Sequence, residues 1–256
     1  MHKIKSLISI TADDYGLHPS INKAIISCAK QEALQRISVC ANGSYIDWDC
    51  LKTLQTNGLH IGAHITLVGE KWHTRPYFFT SWRSFIFRLF FSPSTFIEKL
   101  QKEIQWQLDQ FTCHGLKINH IDSHQHVHVL PKLWPIFYRL ALRNHIPAIR
   151  IPYVPSFASL KLSFSHLFLQ VLSLYRKRTC ALAHTPCLGI AHSGRNTAKT
   201  FSRECRHVTQ QTEFILHPGD DNRALNEHYP SWRFDWEGEL SLIHYCLSLP
   251  FAKSFL

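Results

Sequence analysis

Short β-rich runs alternate with helical patterns along nearly the whole chain, and this alternation restricts the fold more than any other feature. The strand candidates are residues 5–11, 36–41, 60–67, 117–129, 148–153, 188–192 and 213–216. Helical patterns occupy residues 20–31, 47–56, 95–113, 131–144 and 202–211. Asp47 is placed to cap the second of these, and Asn57-Gly58 to stop it. Thr95 and Glu98 stand at capping-box spacing before the helical stripe Ile97, Leu100, Ile104, Leu108 and Phe111. Strands alternating with helices pair in parallel through right-handed crossovers. About seven such units predict an α/β chain, a closed or nearly closed (β/α) barrel and not a small open sheet. No internal repeat or low-complexity linker interrupts it, so residues 1–256 read as a single domain. In such folds chemistry gathers at the C-terminal ends of the strands.

Composition narrows the partners. Hydrophobic residues make up 45% and charged residues 18% of the chain, enough for a sizeable core and against wholesale disorder. No charge-free apolar run is long enough to span a bilayer. The start, MHKIKSLISITADD, reads as a first strand and not as a signal peptide, which predicts a cytoplasmic protein. The eight cysteines contain no C-x-x-C pair, so they are expected as free thiols and not as a structural zinc site. The net charge of +10 fits nucleic acid, an anionic membrane surface or an acidic substrate.

Four polar clusters lie at predicted strand ends. Thr11-Ala12-Asp13-Asp14-Tyr15-Gly16 sets two adjacent carboxylates before a glycine turn. Successive strand residues point to opposite sides, so one aspartate can face a metal and the other the substrate. Leu59-His60-Ile61-Gly62-Ala63-His64-Ile65-Thr66-Leu67 carries His64 in or at the end of an apolar strand. In the third cluster His120, Asp122, His124, His126 and His128 occupy alternate positions. On an extended strand all five would share one face, a poor pattern for a core because unpaired buried polar groups are costly. The outer two would stand roughly 26 Å apart at about 3.3 Å per residue, so one ion cannot use them all. One or two ligands are expected there, with the others supporting or touching substrate. Finally, His217 ends the run Glu213-Phe214-Ile215-Leu216 before Pro218-Gly219, a good place for a general acid or base.

Together the TADDYG, IGAHITL, HIDSHQHVH and ILHPG segments resemble the YdjC-like carbohydrate deacetylases, a family that takes in chitooligosaccharide deacetylase and the HpnK-like proteins of hopanoid biosynthesis. The likeness runs from about Ile8 to about Gly219, with the four motifs in the family's order. It implies a distorted β/α barrel and a metal-dependent hydrolase that removes acetyl from an N-acetylated amino sugar. Carried over by residue, it implies Asp14, His64 and His124 as metal ligands, with His126 the alternative to His124. It implies Asp13 as catalytic base and His217 as acid, and Arg150 and His126 as substrate contacts. Tyr15 stands where phenylalanine is usual, and Gln125 where several relatives have histidine. Nothing in the family assigns the aromatic, basic stretch 72–93.

The implied cofactor is one divalent ion. Ligand softness favours zinc, manganese, cobalt or iron, while relatives are often described with magnesium. A metal-dependent phosphoesterase or nuclease would also suit clustered ligands and a basic chain. No nucleic-acid motif is present, so nucleic acid is not the expected partner. A non-catalytic sugar-binding module is the third alternative. Two further stretches, 82–91 and 157–178, are unusually apolar and basic; they read either as barrel helices packed on the core or a second subunit, or as elements lying in a membrane interface.

Overall fold

The computed structural model describes residues 7–154, 164–206 and 208–248. Six strands form one sheet: β1 (Ile8–Tyr15), β2 (Arg36–Val39), β3 (His60–Ile65), β4 (His120–Ser123), β5 (Cys187–Leu188) and β6 (Thr212–Leu216). Their order is β4-β3-β2-β1-β6-β5, and every pairing is parallel. The helices are α1 (Pro19–Lys30), α2 (Trp48–Thr56), α3 (Trp82–Phe91), α4 (Ser94–Cys113), α5 (Trp134–Arg143), α6 (Phe164–Thr179), α7 (Ala198–Cys205), α8 (Asn222–His228) and α9 (Trp236–Ser248). The strands are buried on both faces, as parallel strands covered by crossover helices must be.

The fifth of the seven expected strands, 148–153, is not a regular strand. It is nonetheless bonded on both sides. Ile121 N–H donates to Ala148 O at 3.0 Å, and Arg150 N–H to Ile121 O at 3.0 Å, which ties it to β4. On its other side Ile149 N–H donates to Ala183 O at 3.0 Å, and Cys187 N–H to Tyr153 O at 2.9 Å. The two edges of the sheet are thereby stitched together into a distorted barrel. Pro147 and Pro152 bracket the stitch and cannot donate, which keeps a full ladder from forming.

A second correction concerns 117–129. Only His120–Ser123 is strand, and His124–Val129 coils into a 3₁₀ segment in which Gln125 and His126 take left-handed φ values of 57° and 53°. The five alternating polar side chains therefore do not share a strand face. Likewise 188–192 is two residues of strand followed by a 3₁₀ turn, Ile190–His192.

The helix expectations hold with shifted ends. Asp47 caps α2, its side chain accepting from Cys50 N–H at 2.9 Å. The Thr95–Glu98 capping box does not form: α4 starts at Ser94 behind Pro93, with no side-chain cap. Its apolar stripe does pack, with Leu100, Ile104, Leu108 and Phe111 buried. The last predicted helix, 202–211, lies earlier, at α7, where Thr197 and Thr200 make a reciprocal cap. None of the eight cysteines is in a disulfide. Among the described residues no helix is long and apolar enough to cross a membrane.

Candidate active site

The site forms where β1, β3, β4 and β6 end. Between Ala12 and Tyr15 the register of β1 against β2 slips, and Asp14 sits at φ 73°. A bulge of this kind re-aims side chains, and here it sends the two neighbouring carboxylates to different partners. Asp14 is fully buried; its Oδ1 lies 3.0 Å from His124 Nδ1 and 3.4 Å from His64 Nε2. Its Oδ2 is buried with no hydrogen-bond partner. Asp13 instead meets Arg150, whose two terminal nitrogens donate to both carboxylate oxygens at 2.7 and 2.9 Å.

His64 is aimed by Asp122, whose Oδ1 lies 2.8 Å from Nδ1. That leaves Nε2 facing Asp14, the arrangement by which a carboxylate fixes a ligating imidazole. The strand reaches this position only because residue 62 is glycine: a Cβ there would stand 2.1 Å from the ring of His120. His120 is itself bonded to Ser38 Oγ at 3.1 Å, and burial pushes it down to about 4. His128 is also structural. Its Nδ1 lies 2.8 Å from Ser123 Oγ and its Nε2 donates to Arg150 O at 2.8 Å, so neither nitrogen is available to a ligand.

One cavity of about 660 Å³ opens over these groups, and Asp13, His64, His124, His126 and His217 line it. Asp14 lies behind them. Arg150 does not reach the cavity: it is 3% exposed, and its guanidinium is bonded to Asp13, Asp122, Glu213 and Ser38. His126 faces the cavity with Nδ1 buried and unpaired. Burial, with Arg150 nearby, holds it well below the ordinary imidazole value, hence neutral.

Electrostatics favour a cation. Asp13, Asp14, Asp122 and Glu213 are buried carboxylates, and Arg150 is the guanidinium buried among them. Burial would raise the Asp14 carboxyl, but His124 and His64 more than reverse it and hold it well below the usual carboxylate range. Burial would lower His64, yet Asp122 and Asp13 push it well above, so without an ion it carries a proton. A divalent cation is the natural replacement for that proton, since metal ligation displaces one from histidine. Ligand atoms of Asp14, Cys40 and His64 lie within 4.8 Å of one another, as do those of Asp13, His64 and Asp122. Burial, reinforced by Asp14, keeps the Cys40 thiol protonated, and it donates weakly to Asp14 Oδ1 at 4.0 Å. The available donors are therefore oxygen and imidazole nitrogen, a set that suits borderline and hard divalent ions.

At the end of β6, His217 turns into the cavity with Nδ1 3.5 Å from Glu239 Oε2. That same oxygen accepts from His217 N–H at 2.6 Å, while Oε1 accepts from Asn196. Burial would lower His217, but Glu239 outweighs it and raises it. Glu239 on α9, Trp232 stacked on His124 at 4.9 Å, and the roles of Asp122 and Glu213 were missed by sequence reasoning. Asp122 and Glu213 stand inside the recognised motifs; Glu239 and Trp232 carry no local signal.

The family profile described as YdjC-like protein matches residues 7–244. The chain belongs to the YdjC-like family. Among curated relatives, a protein named carbohydrate deacetylase from Vibrio cholerae serotype O1 is 29% identical over 147 residues, covering 55% of this chain and 57% of that one. One named chitooligosaccharide deacetylase from Escherichia fergusonii is 29% identical over 155 residues, covering 58% and 60%. The matches thus span less than two thirds of these relatives. A solved Enterococcus faecalis structure, named for cellobiose-phosphate cleavage, superposes with a TM-score of 0.65 at 19% identity, covering 94% of this YdjC-like chain and 93% of its own. That likeness speaks for the fold.

Proposed function

We propose that the chain is a metal-dependent hydrolase that cleaves the linear amide C–N bond of an N-acetylated amino sugar, releasing acetate and a free amine. The carrying observation is the excess of buried carboxylate around His64 and His124, set beside a Glu239-supported His217 on one cavity. Asp14, His64 and His124 would hold the ion, whether magnesium, zinc, manganese or cobalt. When bound, it supplies Lewis acidity towards the acetyl carbonyl and a more acidic water.

The chain's own groups do the rest. Asp13 faces the cavity and takes the proton of the attacking water, and Arg150 fixes both of its oxygens so that one orientation persists. Arg150 is thus a positioning residue for Asp13. His217, whose affinity for a proton Glu239 raises against the effect of burial, delivers a proton to the departing sugar nitrogen. His126 lines the cavity and is the group we assign to contact with substrate there. We place the protein in the cytoplasm, with peripheral contact to the inner membrane face, and we keep a homodimer open; nucleic acid is not a partner in this reading.

The test is acetate release from N-acetylhexosamine substrates, soluble and lipid-linked, with each divalent metal in turn. Metal-dependent acetate release is expected. Phosphoester hydrolysis without acetate would overturn the reading, and sugar binding unaffected by Asp13→Asn without turnover would make the chain a binding module.

A further inference from the structure

The cavity takes part of its wall from α3 and α6, which come from the apolar stretches 82–91 and 157–178. The first residues of the second stretch, with Leu160 and Leu162, lie outside the described residues. Another part is the loop between α8 and α9, which brings Ser231, Trp232 and Phe234 to the cavity. Trp232 lies against an imidazole of the site: its ring is stacked on His124, with centroids 4.9 Å apart and planes 26° from parallel.

The two imidazoles beside Asp14 are held in different ways. Asp122 bonds Nδ1 of His64 at 2.8 Å and fixes how that ring is turned. His124 turns Nδ1 to Asp14 Oδ1 at 3.0 Å, and among the described residues its Nε2 has no hydrogen-bond partner. The backbone gives little guidance. The next two residues, Gln125 and His126, have left-handed φ values, which side chains with a Cβ rarely adopt. His128 N–H donates to Ser123 Oγ at 3.0 Å, a bond that ties the backbone of the turn and not the ring of His124. Ring contacts do that work: His64 meets His124 edge-on at 5.7 Å, and Trp232 covers its face.

The indole is itself anchored. It stacks on Tyr229 at 4.5 Å and on the fully buried Trp236 at 5.6 Å. Tyr229 Oη donates to Leu17 O at 3.1 Å, and Leu17 N–H donates to Asp14 O at 3.3 Å. A path from Asp14 through Leu17, Tyr229 and Trp232 to His124 therefore closes on the contact between His124 and Asp14. The loop is pinned further along, where Arg195 Nε and Nη2 donate to Arg233 O at 3.3 and 3.2 Å and Asp235 N–H donates to Gly194 O at 2.7 Å.

We infer that Trp232 is a positioning residue for His124: stacked on the imidazole, it presets the ring for the divalent ion that Asp14, His64 and His124 would hold. The inference rests on the metal-dependent reading of the site and adds a residue from outside its motifs. Offset-stacked aromatic rings attract, and a ring held before the ion arrives loses less freedom on binding it.

The probe is cobalt(II), titrated into the metal-free chain and followed by its visible absorption. Trp232→Leu keeps an apolar side chain and removes the aromatic face. It should weaken cobalt affinity by about tenfold or more, the usual worth of a group that orients a ligating histidine. Trp232→Phe should restore affinity close to that of the parent chain. Trp232→Met and Trp232→Tyr provide a second aliphatic and aromatic pair, which carries the comparison if the leucine variant does not fold. In a His124→Ala chain, Trp232→Leu should bring no further loss, because its effect runs through His124. Parental affinity in Trp232→Leu would overturn the inference. So would aromatic variants no better than aliphatic ones, or an equal loss with and without His124. Cobalt binding by the parent chain without acetate release would remove the deacetylase reading and leave this inference standing; no cobalt binding by the parent chain would overturn both.

Discussion

Asp13 and Asp14 are chemically identical neighbours with opposite surroundings, one clasped by a guanidinium and one flanked by two imidazoles. Substitution by asparagine should separate them. Asparagine tolerates the left-handed backbone at position 14, so Asp14→Asn should fold and lose metal affinity. Asp13→Asn should keep the metal and lose turnover by about 10²–10⁴-fold, the usual worth of base catalysis. Metal content and rate measured on the same samples decide it; metal lost at 13 and kept at 14 would reverse the roles. His217→Ala should lose rate on a similar scale with metal content unchanged. Glu239→Gln is the more discriminating change. The Glu239 carboxylate raises His217, so the acid form now persists to higher pH. Without it, the alkaline limb of the pH–rate profile should move to lower pH. A profile that keeps its limb would detach Glu239 from the acid.

At the scale of elements, β3 and β4 depend on each other through Gly62 and His120. Gly62→Ala drives a Cβ into a buried ring, and overpacking of this kind costs about 1–3 kcal/mol, readable as a lower urea midpoint. The strands themselves were legible because both faces are buried, which writes continuous apolar runs into the sequence. The histidine segment was legible as a cluster but not as a shape. Alternation implied a strand, whereas two left-handed residues at Gln125 and His126 fold it back, and neither is a glycine that would announce the turn. The supporting carboxylates were harder still. Asp122 and Glu213 could be seen as motif members, but their partners are set by the sheet order. Glu239 comes from a helix 22 residues beyond His217, a distance at which periodicity says nothing about contact.

For the whole molecule, one consequence is acid sensitivity. Arg150 and burial contend over Glu213, and the guanidinium wins, bringing the carboxyl down to about 2. An unfolded glutamate titrates near about 4.3. The stabilisation is therefore complete above that value and disappears as pH falls through about 2, worth about 3 kcal/mol in all. Denaturant titrations from pH 5 to pH 2 should show Glu213→Gln losing less stability than the parent chain; parallel curves would exclude Glu213 as a source of acid lability.

The stitch from Pro147 to Tyr153 has a dynamic meaning as well. Five pairings around the barrel are ladders, and this one is a handful of separate bonds. A ring breathes at its thinnest link, so sub-global opening should begin there. The amides of Ile149 and Cys187 should exchange with deuterium well before those of Ile37 and Ala63 on the inner strands. Arg150 belongs to the same link. Each excursion that unzips it also slackens the guanidinium's grip on Asp13, so heat should erode turnover at temperatures where the far side of the barrel is still fully protected from exchange.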